Sequence, residues 1–412
     1  MAFCRKSLQG QRGQILILCA ISMIILILFV GLAVDFGLAY VTKARLGKAV
    51  DAAALAGARN LYQGQTQATA IAKSSFAMNY GSSNFDASTP ILNVTYTTDA
   101  DDNKLINVTA NATIKTFFIA LLPQFKTLKA TSSAQSTRAH VLLTLVLDKS
   151  GSMQNNGGWS ALPPAVNTFI SYFDDTVDSV AVVTFASNVS TDVAMQTGGF
   201  KTKVKNLTAK MNYSYFGGAT FSDGGLQQGL IQNNSITVSG NVVKVVVFFT
   251  DGYANTIQDT LSCGGGHHIA NGLWNFGGYD SPSQVGFMYP TGTDQTPQCT
   301  GTGTSCCNGK FPSHATGKLE RIKWNKVSDD SEYRAIQTSN TMRSDTNNMI
   351  VYSIGLGSNL NKDFLYQIAN DPNSSTYDST KPVGQAAFAP TAADLQVIFQ
   401  SLASKILLRL TH

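Results

Sequence analysis

From Gln14 to Val34 no charge interrupts the chain, and Ile15-Leu16-Ile17-Leu18 leads into Ile24-Ile25-Leu26-Ile27-Leu28-Phe29-Val30. About 20 consecutive apolar residues cross a bilayer as a helix, so residues 15–34 are predicted to span one. A cleaved leader would have an apolar core of only about 7 to 15 residues and a small-residue cleavage site. Neither fits here, and a retained anchor is expected. Helical character continues past Asp35: Leu46, Val50, Ala54 and Ala58 recur at every fourth position and share one side of a helix, with small residues that allow close packing. One long helix leaving the membrane as a stalk is the prediction. A second helix is expected over 67–80. Residues 91–96 and 105–113 read as strands of a hairpin joined through Asp99-Ala100-Asp101-Asp102-Asn103. An apolar segment, Phe117 to Leu122, ends at Pro123, and 128–137 returns as another strand. Residues 35–140 are thus read as a small α+β module on the stalk helix.

From Val141 the pattern changes to apolar strands alternating with amphipathic helices, which predicts an α/β layer fold with a mainly parallel, doubly wound sheet. Strands are expected over 141–147, 180–185, 242–249 and 349–354. Helices are expected over 163–173, 221–231, 362–369 and 392–408. Residues 141–412 form this domain. Within it, residues 253–347 are rich in Gly and turn formers where a short connection normally suffices, and are read as an insertion.

Charge and cysteines place these parts. Arg5, Lys6 and Arg12 precede the apolar run, so the positive-inside rule leaves residues 1–14 in the cytoplasm and everything after Asp35 outside. Lys43, Arg45 and Lys48 oppose this without reversing it, because a large following domain is translocated largely regardless of its charge. Only 13% of residues are charged, and the net charge of +5 is thinly spread. The run Lys201, Lys203, Lys205 and Lys210 lacks the interleaved aromatics that would stack bases, so it reads as a solvated face and no nucleic-acid partner is expected. Of six cysteines, Cys4 precedes the span and Cys19 lies in it, leaving Cys263, Cys299, Cys306 and Cys307 in the insertion. An even number suits two disulfides in an oxidising compartment.

Three loops carry candidate chemistry. Asp148, Ser150 and Ser152 alternate after a strand, so a carboxylate and two hydroxyls can converge on a hard divalent cation. Gly217-Gly218-Ala219-Thr220 precedes a helix and offers the Thr220 hydroxyl. Thr250-Asp251-Gly252 ends a strand and offers a second carboxylate, Asp251. Strand ends of an open parallel sheet form a ligand crevice. Taken alone, Asp148-Lys149-Ser150-Gly151-Ser152 also suits a plain strand-to-helix turn, since Asp and Ser cap helices. His267-His268 beside Cys263, and His314 near Cys306-Cys307, fit no standard zinc spacing. No Gly-x-Ser-x-Gly elbow, phosphate loop or His-Glu-x-x-His occurs, so an enzyme is not expected.

These motifs carry two resemblances. Asp148-x-Ser150-x-Ser152 with Thr220 and Asp251 resembles the metal-ion-dependent adhesion site of von Willebrand factor A-type (vWA) domains, with no departure at the five positions. The resemblance implies a Rossmann-like fold holding Mg²⁺, with Ca²⁺ or Mn²⁺ as alternatives, and an open coordination position for a carboxylate from a protein partner. Arg12-Gly13, Asp35 and Asp51-Ala52-Ala53-Ala54-Leu55-Ala56-Gly57-Ala58 resemble the N-terminal pattern of TadG-like proteins of Flp/Tad pilus assembly systems. Pseudopilins of such systems carry a glutamate five residues after the processed glycine. Counting from Gly13 that position is Leu18, so an unprocessed anchor is expected. Together the resemblances imply a single-pass bacterial inner-membrane protein whose vWA domain, periplasmic or surface-exposed, binds pilus assembly components. A surface adhesin that uses the vWA domain and its insertion on host or abiotic surfaces is the alternative.

Overall fold

The structure is a computed structural model that describes residues 12–81, 88–100, 103–257, 273–275, 285–287, 310–313, 318–321, 324–358 and 360–409. They form two compact units with the main boundary between Arg138 and Ala139.

The first unit contains helices α1 (Arg12–Arg59) and α2 (Gln65–Tyr80) and strands β1 (Ile91–Thr98), β2 (Lys104–Lys115) and β3 (Thr127–Arg138). The strands make an antiparallel sheet in the order β1-β2-β3, with Ile91 opposite Asn111 and Lys104 opposite Arg138. Side chains alternate across a strand, so β2 turns Ile106, Val108, Ala110, Ala112 and Ile114 to one buried face. Against it α1 lays Leu46, Val50, Ala54 and Ala58, the positions spaced for that role in the sequence, and α2 adds Ala72 and Phe76. Two short 3₁₀ turns, Ile119–Leu121 and Pro123–Phe125, replace the apolar segment between β2 and β3. The N-terminal half of α1 exposes apolar side chains from Ile15 to Val34. Among the described residues it is the one helix long and apolar enough to cross a membrane.

The second unit holds a six-stranded sheet in the order β14-β13-β7-β4-β5-β6. Its strands are β4 (His140–Asp148), β5 (Ser179–Phe185), β6 (Val189–Thr197), β7 (Val242–Thr250), β13 (Ile350–Leu356) and β14 (Ala386–Ala389). All pairings are parallel except β5 with β6. The helices are α3 (Ser152–Asn155), α4 (Gly158–Ser171), α5 (Phe200–Thr208), α6 (Ser222–Asn233), α7 (Trp324–Met342), α8 (Lys362–Ala369) and α9 (Leu395–Arg409). Both faces of the sheet are covered, which is why β4 and β5 are buried along their whole length. Adjacent residues of β7 show the two layers. Phe248 meets Phe364 of α8 with ring centroids 6.3 Å apart, while Phe249 meets Phe399 of α9 at 6.0 Å.

Sequence and structure differ in places. Helix α4 starts at Gly158, ahead of the predicted Pro163, and buries Leu162 along with Val166, Phe169 and Ile170. The antiparallel edge strand β6, helix α5 and the short β14 were not predicted. Part of residues 253–347 forms α7, whose Ala335 and Met342 sit in the core beside Val146 and Phe248. The same stretch contains the short strands β8 (Thr256–Ile257), β9 (Leu273–Asn275), β10 (Val285–Phe287), β11 (Lys310–Ser313) and β12 (Lys318–Arg321). Cys263, Cys299, Cys306, Cys307, His267, His268 and His314 lie outside the described residues, and so does the expected disulfide pairing.

Candidate metal centre

The chain winds from β4 outward through β5 and β6, then returns to the other side of β4 for β7, β13 and β14. The order therefore reverses between β4 and β7, and their carboxyl ends flank the crevice where such sheets bind ligands. Asp148 ends β4, and Thr250 ends β7 with Asp251 directly after it.

Asp148 is fully buried. Its Oδ1 accepts the Ser150 backbone N–H at 2.7 Å and its Oδ2 accepts the Thr250 hydroxyl at 2.6 Å. The Ser150 and Ser152 hydroxyls are 3.0 Å apart, and the Ser152 hydroxyl donates to Asp251 Oδ1 at 2.7 Å. Asp251 Oδ2 accepts Asn156 Nδ2 at 2.6 Å. Four of the five predicted residues, Asp148, Ser150, Ser152 and Asp251, are thus linked in one hydrogen-bonded run, through the Ser150 backbone N–H and the two serine hydroxyls, that spans both strand ends.

Thr220 lies on the neighbouring loop and is buried. Two backbone bonds lace that loop to the first: Gly217 N–H to Lys149 C=O at 2.8 Å and Gly151 N–H to Gly218 C=O at 3.0 Å. Asn255 clasps Thr220 through its side chain, accepting the Thr220 N–H at 2.7 Å, and through its own N–H, donated to Thr220 C=O at 3.1 Å. Ser187 Oγ accepts the Ala219 N–H at 2.9 Å. Gly218 makes the close approach possible: its φ is +91°, and a Cβ there would meet Ser187 Oγ at 2.6 Å.

The two carboxylates are electrostatically strained. Burial first, and the Asp251 charge second, push Asp148 up to about 7, against the hydrogen bonds from Ser150 and Thr250. Burial likewise raises Asp251, against its bonds from Ser152 and Asn156. Lys149, the cation nearest in sequence, sets its ammonium over the Tyr215 ring, 5.1 Å from the centroid.

The donor set fits a hard divalent cation, because every candidate ligand is an oxygen and the two acids disfavour ionising together. Among the described residues no group of three or more His, Cys, Asp or Glu could hold a metal, so a cation here would need hydroxyl donors beside the two carboxylates. Sequence reasoning missed Asn156, Asn255, Ser187 and the second role of Thr250. Asn156, the residue that caps α3, follows Ser152 by four positions, a spacing that brings both to one side of that turn.

Residues 13–60 match the Flp pilus-assembly TadE/G-like family model, and residues 143–263 match the von Willebrand factor type A domain model. No curated protein matches the chain. Among solved structures, the pilus adhesin SpaC from Lactobacillus rhamnosus GG aligns at 15% identity and TM-score 0.44 over 78% of this chain and 35% of its own. The vWF domain of the type V pili tip protein Mfa5 from Porphyromonas gingivalis aligns at 12% identity and TM-score 0.42, over 66% and 96% respectively. Proximal thread matrix protein 1 from the mussel byssus, with a zinc-occupied MIDAS motif, aligns at 16% identity and TM-score 0.37, over 66% and 46%. The chain spans about a third to a half of the length of the pilus adhesin and the byssus protein. The chain thus carries an N-terminal segment that matches the TadE/G-like model, followed by a vWA-like α/β fold.

Proposed function

We propose that the chain is a membrane-anchored, metal-dependent protein-binding component of Flp/Tad pilus assembly. The observation that carries this reading is the hydrogen-bonded run from Asp148 through Ser150 and Ser152 to Asp251 at the β4/β7 crevice, which gathers two carboxylates and two hydroxyls. It is joined to a TadE/G-like segment on an apolar helix. Asp148, Ser150, Ser152, Thr220 and Asp251 would hold the cation, Mg²⁺ first, with Ca²⁺ or Mn²⁺ also suited to oxygen donors. When bound, the cation supplies a Lewis-acidic position for a partner's carboxylate.

The chain's own groups prepare that contact. Thr250 and Ser150 fix the rotamer of Asp148, and Asn156 fixes Asp251. The paired loops keep Thr220 at the same rim. The incoming ligand is then an acidic side chain or C-terminal carboxylate on a pilus assembly protein, and the role is binding rather than turnover. The proposed layout is residues 1–14 in the cytoplasm, 15–34 across the inner membrane, 35–140 as the stalk module and 141–412 as the vWA domain outside it, with the part of 253–347 that precedes α7 as its insertion.

The test compares wild type with Asp148→Ala in cells carrying the pilus system. Wild type should assemble pili and co-purify with assembly proteins in Mg²⁺ but not in EDTA, and Asp148→Ala should do neither. Partner binding that persists in both the variant and EDTA would sink the metal-bridged mechanism.

A further inference from the structure

The turn between β2 and β3 lies beside the apolar half of α1. Phe118 and Leu121 of the turn, with Ile25, Leu28, Phe29 and Leu32 of α1, line an open groove of about 440 Å³. Phe118 seats directly on the helix at Gly31, where an added Cβ would meet its ring at 2.4 Å. Ile25 lies nine residues before Val34, which at 1.5 Å per residue is about 13 Å along the helix. The hydrocarbon core of a bilayer is about 30 Å thick, so a turn touching Ile25 through Leu32 reaches well inside one leaflet.

The turn is built for that depth. Phe117, Leu121, Leu122 and Phe125 are 55%, 77%, 50% and 42% exposed, and no charge occurs from Phe117 to Phe125. Exposed Lys115 and Lys126 flank it, the placement that suits phospholipid headgroups. Six of its backbone N–H groups find partners within the protein, which lowers the cost of placing them in hydrocarbon. Asp35 Oδ1 accepts the Phe117 N–H at 2.9 Å, and Oδ2 accepts those of Phe118 and Ile119 at 2.9 and 2.7 Å. Leu121, Leu122 and Phe125 donate to Phe118, Ile119 and Leu122 carbonyls within the turn. The Thr116 hydroxyl donates to Phe125 C=O at 2.6 Å. Asp35 itself is 1% exposed.

We propose that residues 117–125 are a second membrane anchor, a turn inserted among lipid acyl chains beside α1, with Asp35 as the cap that closes its backbone. This rests on the reading of 15–34 as a membrane span. Continuity of the exposed apolar surface from α1 onto the turn, with lysines at its base, favours lipid over a protein partner as the occupant.

The test places a benzophenone photocrosslinking amino acid at position 121, 26 or 78 of the full chain in phosphatidylethanolamine/phosphatidylglycerol nanodiscs, and counts lipid adducts by mass spectrometry. Leu26 is an exposed position of the span and Met78 an exposed position of α2. Adducts at 121 should come within about three-fold of those at 26 and exceed those at 78 about ten-fold or more, as lipid burial requires. Gly31→Leu, which displaces Phe118, should lower the yield at 121 while leaving 26 unchanged. Adducts at 26 but not 121 would overturn the turn anchor and leave the span intact. Crosslinks from 121 to a second copy of the chain would overturn lipid as the occupant. Failure at both 26 and 121 would overturn the span reading and the inference with it.

Discussion

Glu332 of α7 is 6% exposed, and its Oε1 has no hydrogen-bond partner. Its other oxygen accepts Asn361 Nδ2 at 2.7 Å. Burial chiefly, then the charges of Asp329 and Asp363, push its carboxyl up to about 8 against the Asn361 bond, from a usual value of 4.5. A group whose folded pKa lies above its unfolded one binds a proton more tightly when folded. Stability is therefore full below pH 4.5 and falls as pH rises toward 8, where Glu332 must ionise in the core. At about 1.36 kcal/mol per pH unit, the ceiling on this loss is about 5 kcal/mol. Glu332→Gln mimics the protonated acid, so it should match wild type near pH 4.5 and exceed it in stability at pH 8. Urea denaturation of the detergent-solubilised full chain, followed by near-UV circular dichroism from pH 4.5 to 8 with EDTA present, measures this apart from any cation. Parallel stability curves for the two proteins would refute a buried ionisation penalty at Glu332.

Three further outcomes follow from named contacts. Asn156→Ala removes the donor to Asp251 Oδ2 and should weaken Mg²⁺ binding about ten-fold or more without unfolding the domain, as loss of a ligand-orienting partner does, read by calorimetric titration. Gly218→Ala forces a Cβ at φ +91° into Ser187 Oγ. It should lower stability by about 1–3 kcal/mol, measured by thermal unfolding, and weaken the cation site with it. Asn233→Ala removes a buried amide that donates to Leu142 C=O at 2.9 Å, Thr144 Oγ1 at 3.2 Å and Val245 C=O at 3.1 Å. That change should destabilise the unit by about 2–4 kcal/mol in urea titration, since it leaves buried acceptors unpaired between β4 and β7.

Much of the architecture was legible because its signals are local. The every-fourth-residue row of Leu46, Val50, Ala54 and Ala58 packs as its spacing requires. The run from Val141 to Leu147 is the central strand that buried apolar runs predict. Asp148, Ser150, Ser152 and Asp251 meet because two separate strand-end motifs belong to adjacent strands, β4 and β7. What escaped depends on tertiary contact. Helix α7 presents few apolar positions and sits in a Gly-rich stretch, so periodicity alone gave no reason to place Ala335 and Met342 in a core. Asn156 and Asn255 are ordinary turn residues until the fold brings Asp251 and Thr220 to them. Asp35 stood out as the first charge after an apolar run and as part of the TadG-like pattern, but its three backbone partners lie more than 80 residues away.

Calorimetric titration of Mg²⁺ into the full chain, with Asp148→Ala and Asp251→Ala alongside, tests the central claim most directly. Both variants remove a charge that burial disfavours, so they should stay folded by circular dichroism. The account predicts saturable binding at a single site in wild type and affinity weakened about 100-fold or more in each variant, a loss of about 2.7 kcal/mol. Undiminished Mg²⁺ binding in folded Asp148→Ala and Asp251→Ala would contradict it.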